Sequence, residues 1–241
     1  MKPPAQQKWQ QKEGVVAWAG GGQRLVQQAR RSPEPDDLDL PNIARPFKGA
    51  AFDVVAMAAS AGGIGALGRV LADLPAEFPA AVVVVQHLDP RHRSLMADIL
   101  RRRTELAVVQ AGEGDRIMPA TVYIAPPDRH LLVNSDGTLS LSQSELVHFV
   151  RPSADLLFES VAASYKDRAI AVVLTGTGSD GSMGIGAIKK MGGTVIAQDE
   201  RSAEFSGMPA AAIKSGNADF ILPLEEIPSA LVTLIMKGMV Q

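Results

Sequence analysis

The chain has 241 residues, enough for one sizeable domain or a domain with a tail. Hydrophobic residues make up 46% and charged residues 21%, so a real core can form, and a formal net charge of −2 lacks the basic field that phosphate-driven nucleic-acid binding needs. Cysteine is absent, which excludes disulfide scaffolds, thiolate metal sites and cysteine nucleophiles. The whole supply of imidazole is His87, His92, His130 and His148. No apolar run approaches the roughly 20 residues of a membrane helix, and the Gln- and Lys-rich start lacks a secretory pattern. The expectation is a cytoplasmic protein with no direct membrane insertion.

Residues 1–48 carry Gln clusters, Gly20-Gly21-Gly22 and Ser32-Pro33-Glu34-Pro35 without sustained periodicity, which predicts a disordered tail. Domain material follows from 49 to 241. Asp53–Ala58 is a buried strand, and Ile64–Leu74 places Leu67, Val70, Leu71 and Leu74 on one helical face. Ala81–Val85 is near-continuously β-branched, as in strands buried on both faces of a parallel sheet. Ser94–Arg103 is a helix with a basic end. Residues 107–141 break into short strands and turns, and Leu131–Val133 and Leu139–Leu141 flank Asn134-Ser135-Asp136-Gly137 as a hairpin. Ser153–Tyr165 is helical, Ala169–Leu174 a strand, Gly181–Met191 a helix and Thr194–Gln198 a strand. Pro209–Ser215 is a short helix, Phe220–Leu222 a strand and Leu224–Met236 a final helix. This alternation predicts an α/β fold with a doubly wound, mostly parallel, Rossmann-like sheet and an antiparallel hairpin insertion at one edge.

Ligands of open parallel sheets bind beyond the carboxyl ends of the strands. The first buried run leads into Ala59-Ser60-Ala61-Gly62-Gly63, the second into Gln86-His87, and Ala169–Leu174 into Thr175-Gly176-Thr177-Gly178-Ser179-Asp180. Three strand ends thus deliver a serine, a histidine and an aspartate. A serine hydroxyl needs a base to take its proton. A neutral imidazole can take it and return it to a leaving group, while a carboxylate fixes the tautomer. The amides of the helix start after Ser60 suit a developing oxyanion.

Each residue also has a plainer role. Ser60 could cap the following helix, His87 could be a hydrogen-bonded histidine near a strand end, and Asp180 a turn residue. Gly63-Ile64-Gly65-Ala66-Leu67-Gly68 matches G-x-G-x-x-G, so a nucleotide-binding protein is one alternative. A catalytically inactive interaction module is another. The other histidines lack metal-ligand spacing, and neither a metal nor a cofactor is expected.

Several blocks together resemble the catalytic domain of the chemotaxis protein-glutamate methylesterases, the CheB family. They are Ala59-Ser60-Ala61-Gly62-Gly63, Val85-Gln86-His87, Val122-Tyr123-Ile124-Ala125-Pro126-Pro127, Arg151-Pro152-Ser153-Ala154-Asp155, Leu174–Gly181 and Gly207-Met208-Pro209. The resemblance implies Ser60 as nucleophile, His87 as base, Asp180 as orienting carboxylate, and oxyanion donors at the backbone of Ala61 and Thr177. It implies glutamate methyl esters of a chemoreceptor's cytoplasmic domain as substrate, with receptor glutamine deamidation as a related reaction. The sequence departs from the family at Ala58, usually glycine, and at Thr177, often methionine. Residues 1–48 are too short for the receiver domain that typical members carry, so a separate receiver or signalling protein is the expected regulatory partner.

Overall fold

The computed structural model describes residues 47, 48, 50–87 and 94–236. The expected tail lies outside these residues except for its last two positions, and so does His92.

The first strand, β1 (Val54–Ala59), is buried along its whole length because apolar residues occupy both faces. Val55, Met57 and Ala59 join one core cluster, and Val54, Ala56 and Ala58 join the other. Successive side chains of a strand point to opposite faces, so this division places β1 between two apolar layers. The layer on the Val55 side includes Leu67, Val70 and Leu71 of α1 (Gly63–Ala72), Met96 and Leu100 of α2 (Met96–Arg101), and Ile227, Leu231 and Ile235 of α6 (Ile227–Met236). The opposite layer takes Leu157, Phe158 and Val161 of α3 (Ala154–Tyr165), Ile185 and Ile188 of α4 (Gly184–Lys190), and Met208 and Ala212 of α5 (Gly207–Lys214).

Seven strands form the main sheet, in the order β3-β4-β2-β1-β7-β8-β9. Besides β1 these are β2 (Ala81–Gln86), β3 (Ala107–Gln110), β4 (Thr121–Ile124), β7 (Ala169–Val173), β8 (Thr194–Gln198) and β9 (Phe220–Leu222). Every pairing in it is parallel. The chain builds outward from β1 on one side, then returns to β7 on the other. The crevice at the carboxyl ends of β1 and β7 is therefore the topological switch point.

The antiparallel insertion is the hairpin β5 (His130–Val133) and β6 (Leu139–Ser142), which forms its own two-stranded sheet. The rest of the irregular stretch divides differently. Ala107–Gln110 and Thr121–Ile124 pair in parallel and extend the main sheet. The helix after Asp180 starts at Gly184 rather than Gly181, because residues 180–183 form a turn. Ala58 is fully buried between Val85 and Val173 in the register of the sheet.

Candidate active site

The end of β1 turns sharply. Gly62 has φ 75°, a left-handed conformation that a side chain would strain, and it is the N-cap of α1. Ser60 is therefore not the cap, and no side-chain bond closes that helix start. The Ser60 N–H donates to the Thr175 carbonyl at 3.0 Å, and its carbonyl accepts from Gly63 N–H at 2.9 Å. The turn is thus tied to the loop after β7. Gly176 makes that approach possible: a Cβ there would stand 2.8 Å from Ser60 Cβ and overlap Met208 Sδ.

Ala59 pairs in register with Gln86, so the residues that follow, Ser60 and His87, leave adjacent strands side by side. The His87 N–H still donates to the Ala59 carbonyl at 3.2 Å. The ring donates from Nε2 to Asp180 Oδ2 at 2.8 Å. A carboxylate can only accept here, so Nδ1 carries the lone pair and is the ring's basic nitrogen. The structure brings His87 and Asp180 into direct contact and places Ser60 on the neighbouring strand end. No hydrogen bond joins Ser60 Oγ to His87 in this structure.

Asp180 is 5% exposed and fully engaged. Besides His87, Oδ2 accepts from Ala154 N–H at 2.6 Å. Oδ1 accepts from Ser153 Oγ at 2.9 Å and from Asp155 N–H at 3.2 Å. The carboxylate sits at the N-terminus of the twelve-residue α3, where unpaired amides favour negative charge. Burial pushes this carboxyl up, but the His87 bond and the α3 amides outweigh it and hold it below the usual carboxylate range.

A further layer lies behind α3. His130 is fully buried at the start of β5. Its Nδ1 accepts from Ser153 N–H at 3.1 Å, so Nε2 carries the proton and donates to the Glu145 carbonyl at 3.0 Å. His130 thereby fixes Ser153, which in turn holds Asp180. Asp155 Oδ1 accepts from the amides of Met183 and Gly184 at 3.0 and 2.7 Å, pinning the turn that carries Asp180. Burial raises the Asp155 carboxyl, and nearby Asp180 adds to the rise against the pull of those amides. His148 Nε2 stands 3.6 Å from Asp155 Oδ2. The sequence alone assigns no site role to Ser153, Asp155 or His130. The one available signal was the Ser153-Ala154-Asp155 helix start, which presents amides to an anion without saying which one.

Ala61 is half-buried in the Ser60 turn, and Thr177 is exposed, one residue after the Gly176 that packs against that turn. Among the described residues, neither backbone N–H has an acceptor. A cavity of about 290 Å³ borders the turn at Gly62 and Thr175, with Arg69, Arg201 and Glu204 on its walls. Two glycines of the nucleotide fingerprint, Gly63 and Gly68, have packing tasks, while Gly65 faces open space. They lie inside α1 itself, where a Cβ at Gly63 would overlap Gln86 Oε1 and one at Gly68 would stand 2.7 Å from the Arg103 guanidinium. No group of His, Asp and Glu able to hold a metal occurs among the described residues.

A doubly wound sheet with a serine and a His–Asp pair at its switch point has the layout of a serine ester hydrolase. The family model described as CheB methylesterase matches residues 55–231. A relative from Leptospira interrogans is 38% identical over 190 residues, covering 79% of this chain and 98% of the relative. A Caulobacter vibrioides protein named protein-glutamate methylesterase/protein-glutamine glutaminase 2 is 38% identical over 209 residues, 84% of this chain and 60% of the relative. The crystal structure of the Thermotoga maritima CheB methylesterase catalytic domain superposes with a TM-score of 0.73 at 39% identity, covering 76% of this chain and 99% of that one. The chain belongs to the CheB methylesterase family. It spans 60% of the Caulobacter protein and 54% of a Thermotoga maritima relative with the same activities in its name.

Proposed function

We propose that this chain hydrolyses glutamate methyl esters on the cytoplasmic domain of a chemoreceptor, releasing glutamate and methanol. The observation that carries the reading is the His87 Nε2–Asp180 Oδ2 bond of 2.8 Å, on the strand end next to Ser60.

Ser60 Oγ attacks the ester carbonyl while His87 Nδ1 takes the hydroxyl proton. Asp180, kept ionised, stabilises the imidazolium and holds the ring by its other nitrogen. The tetrahedral oxyanion receives the N–H groups of Ala61 and Thr177, which have no acceptor among the described residues. Collapse breaks the bond to the methoxy oxygen, and His87 returns the proton so that methanol leaves. A water molecule then gives its proton to His87 and attacks the acyl-serine. The bond from the acyl carbon to Ser60 Oγ then breaks, His87 returns the proton to that oxygen, and the glutamate carboxyl leaves with the serine hydroxyl restored. A glutamine carboxamide follows the same steps with ammonia as leaving group. The polar walls of the neighbouring cavity suit a charged protein surface better than a small apolar ligand.

Such a substrate would be met in the cytoplasm, and a separate receiver or signalling protein is the partner that would regulate the reaction. The test is methanol release from methylated receptor fragments. Wild type should release it and Ser60→Ala should not. Equal release by both, or none by wild type, overturns the reading.

A further inference from the structure

Gln86 ends β2 and is 3% exposed. Its side chain turns back across the seam between β1 and β2. Nε2 donates one hydrogen to the Ser60 carbonyl at 2.7 Å and the other to the His87 carbonyl at 3.1 Å. The last backbone rung between these strands is the bond from His87 N–H to the Ala59 carbonyl. Beyond it the ladder ends, with Ser60 leading into the turn before α1 and His87 outside the strand. One amide group therefore ties both backbones just past the end of the ladder.

The other end of the side chain points against a purely stabilising role. Gln86 Oε1 is buried and has no hydrogen-bond partner among the described residues. It lies over Gly63, where a Cβ would overlap it. Burying an unpaired acceptor is costly, and native structures keep few of them. An apolar side chain of equal length would avoid that cost, and the Ser60 carbonyl would keep its bond from Gly63 N–H. What such a side chain could not do is hold the two strand ends in register.

We propose that Gln86 is a positioning residue that sets the separation of Ser60 from His87. The inference rests on the esterase reading above. Proton transfer needs donor and acceptor within about 2.6–3.2 Å, and a misplacement near 1 Å can cost about 100-fold. The backbone of both residues must be held to that tolerance, and Gln86 holds both from one side.

The experiment compares wild type with Gln86→Met and Gln86→Glu, which keep the side chain's length and lack its amide donors. Hydrolysis of a small methyl ester is measured with active serines counted by a fluorophosphonate probe, alongside thermal melting. Turnover per titrated serine should fall roughly 10- to 100-fold in both variants, with KM within about twofold. The melting temperature of Gln86→Met should stay within a few degrees of wild type or rise. Unchanged turnover per titrated serine overturns the proposal, because a structural residue would lower only the number of active molecules. Unfolding of both variants overturns it as well. Wild-type turnover and labelling that vanish in Ser60→Ala test the esterase reading separately. If wild type shows neither, that reading fails and the proposal falls with it.

Discussion

Two buried aspartates stand at opposite ends of the sheet and differ in their partners. Asp53, at the amino end of β1, is 2% exposed, and Asp180, past the carboxyl end of β7, is 5% exposed. Asp53 receives Arg168 Nε at 2.6 Å on one oxygen and, on the other, Arg168 Nη2 at 2.8 Å and Phe47 N–H at 2.7 Å. Hydrogen bonds to Asp53 push the guanidinium higher still against its burial, so this pair never exchanges a proton. Asp180 is as well supplied with donors, but its side-chain partner is an imidazole held by one nitrogen. A buried carboxylate beside a permanently charged fork is a fastening. Beside a ring with a free lone pair it can orient a base without taking its proton.

The comparison breaks first on activity. Ser60→Ala and His87→Ala should each lower turnover by about 10⁴-fold or more, with the double variant little worse, since the residues act as a unit. Asp180→Asn should lose about 10⁴-fold by offering the wrong partner to the ring. Arg168→Met should leave turnover per folded molecule unchanged. Steady-state ester hydrolysis at matched concentrations of folded protein separates the two ends. A second large effect belongs to Gly176→Ala, whose new methyl would meet Ser60 Cβ and Met208. Turnover should fall by about 100-fold, with roughly 1–3 kcal/mol of overpacking cost seen in urea unfolding.

Stability reverses the ranking of the two aspartates. Arg168→Met leaves a buried carboxylate unpaired and should cost about 3 kcal/mol, the low end for a broken buried pair because the Arg168 side chain is 29% exposed. Urea midpoints at constant slope would measure it. Ser153→Ala removes one of the bonds to Asp180 while Asp155 N–H remains on the same oxygen. Its expected loss is about tenfold in kcat, near 1.4 kcal/mol, with KM unchanged.

The smallest effect is in the pH dependence of stability. The Asp180 carboxyl lies lower in the folded chain than in the unfolded one. Its contribution is complete above the ordinary carboxylate pKa of about 4 and is lost as pH falls through the folded value. Asp155 is raised, so its contribution has the opposite sign: present at low pH and lost as pH rises from the unfolded to the folded value. Asp180→Asn should flatten the acid-side loss, and Asp155→Asn the loss at higher pH. Urea midpoints taken in steps from pH 3 to 7 would reveal either slope.

The central strands were legible because β1, β2 and β7 are buried on both faces and read as unbroken apolar runs. Once they were parallel, the residues just past them had to share one edge, which brought Ser60, His87 and Asp180 into view together. Strand β3 was harder to place. It has four residues, with both ends exposed, so its sequence does not distinguish a parallel edge strand from a local turn pairing. The supports of the site were hidden for another reason. Gln86 acts on a carbonyl 26 residues away, and Ser153 and His130 act across 27 and 23 residues. Such bonds follow from how elements pack, not from local period or composition.

The position of β7 in the sheet also governs when the site can exist. Ser60 and His87 come from strands that are neighbours in both sequence and space, whereas Asp180 arrives only after β7 has paired with β1. Val54 and Ala169 face each other across that pairing, a loop closure of more than 100 residues that must be completed against its entropy. Even the Ser60 backbone waits for it, because its N–H donates to Thr175 just beyond β7. A chain that ends at the hairpin contains Ser60 and His87 but not Asp180. The three side chains therefore share one cleft only once the two halves of the sheet are joined.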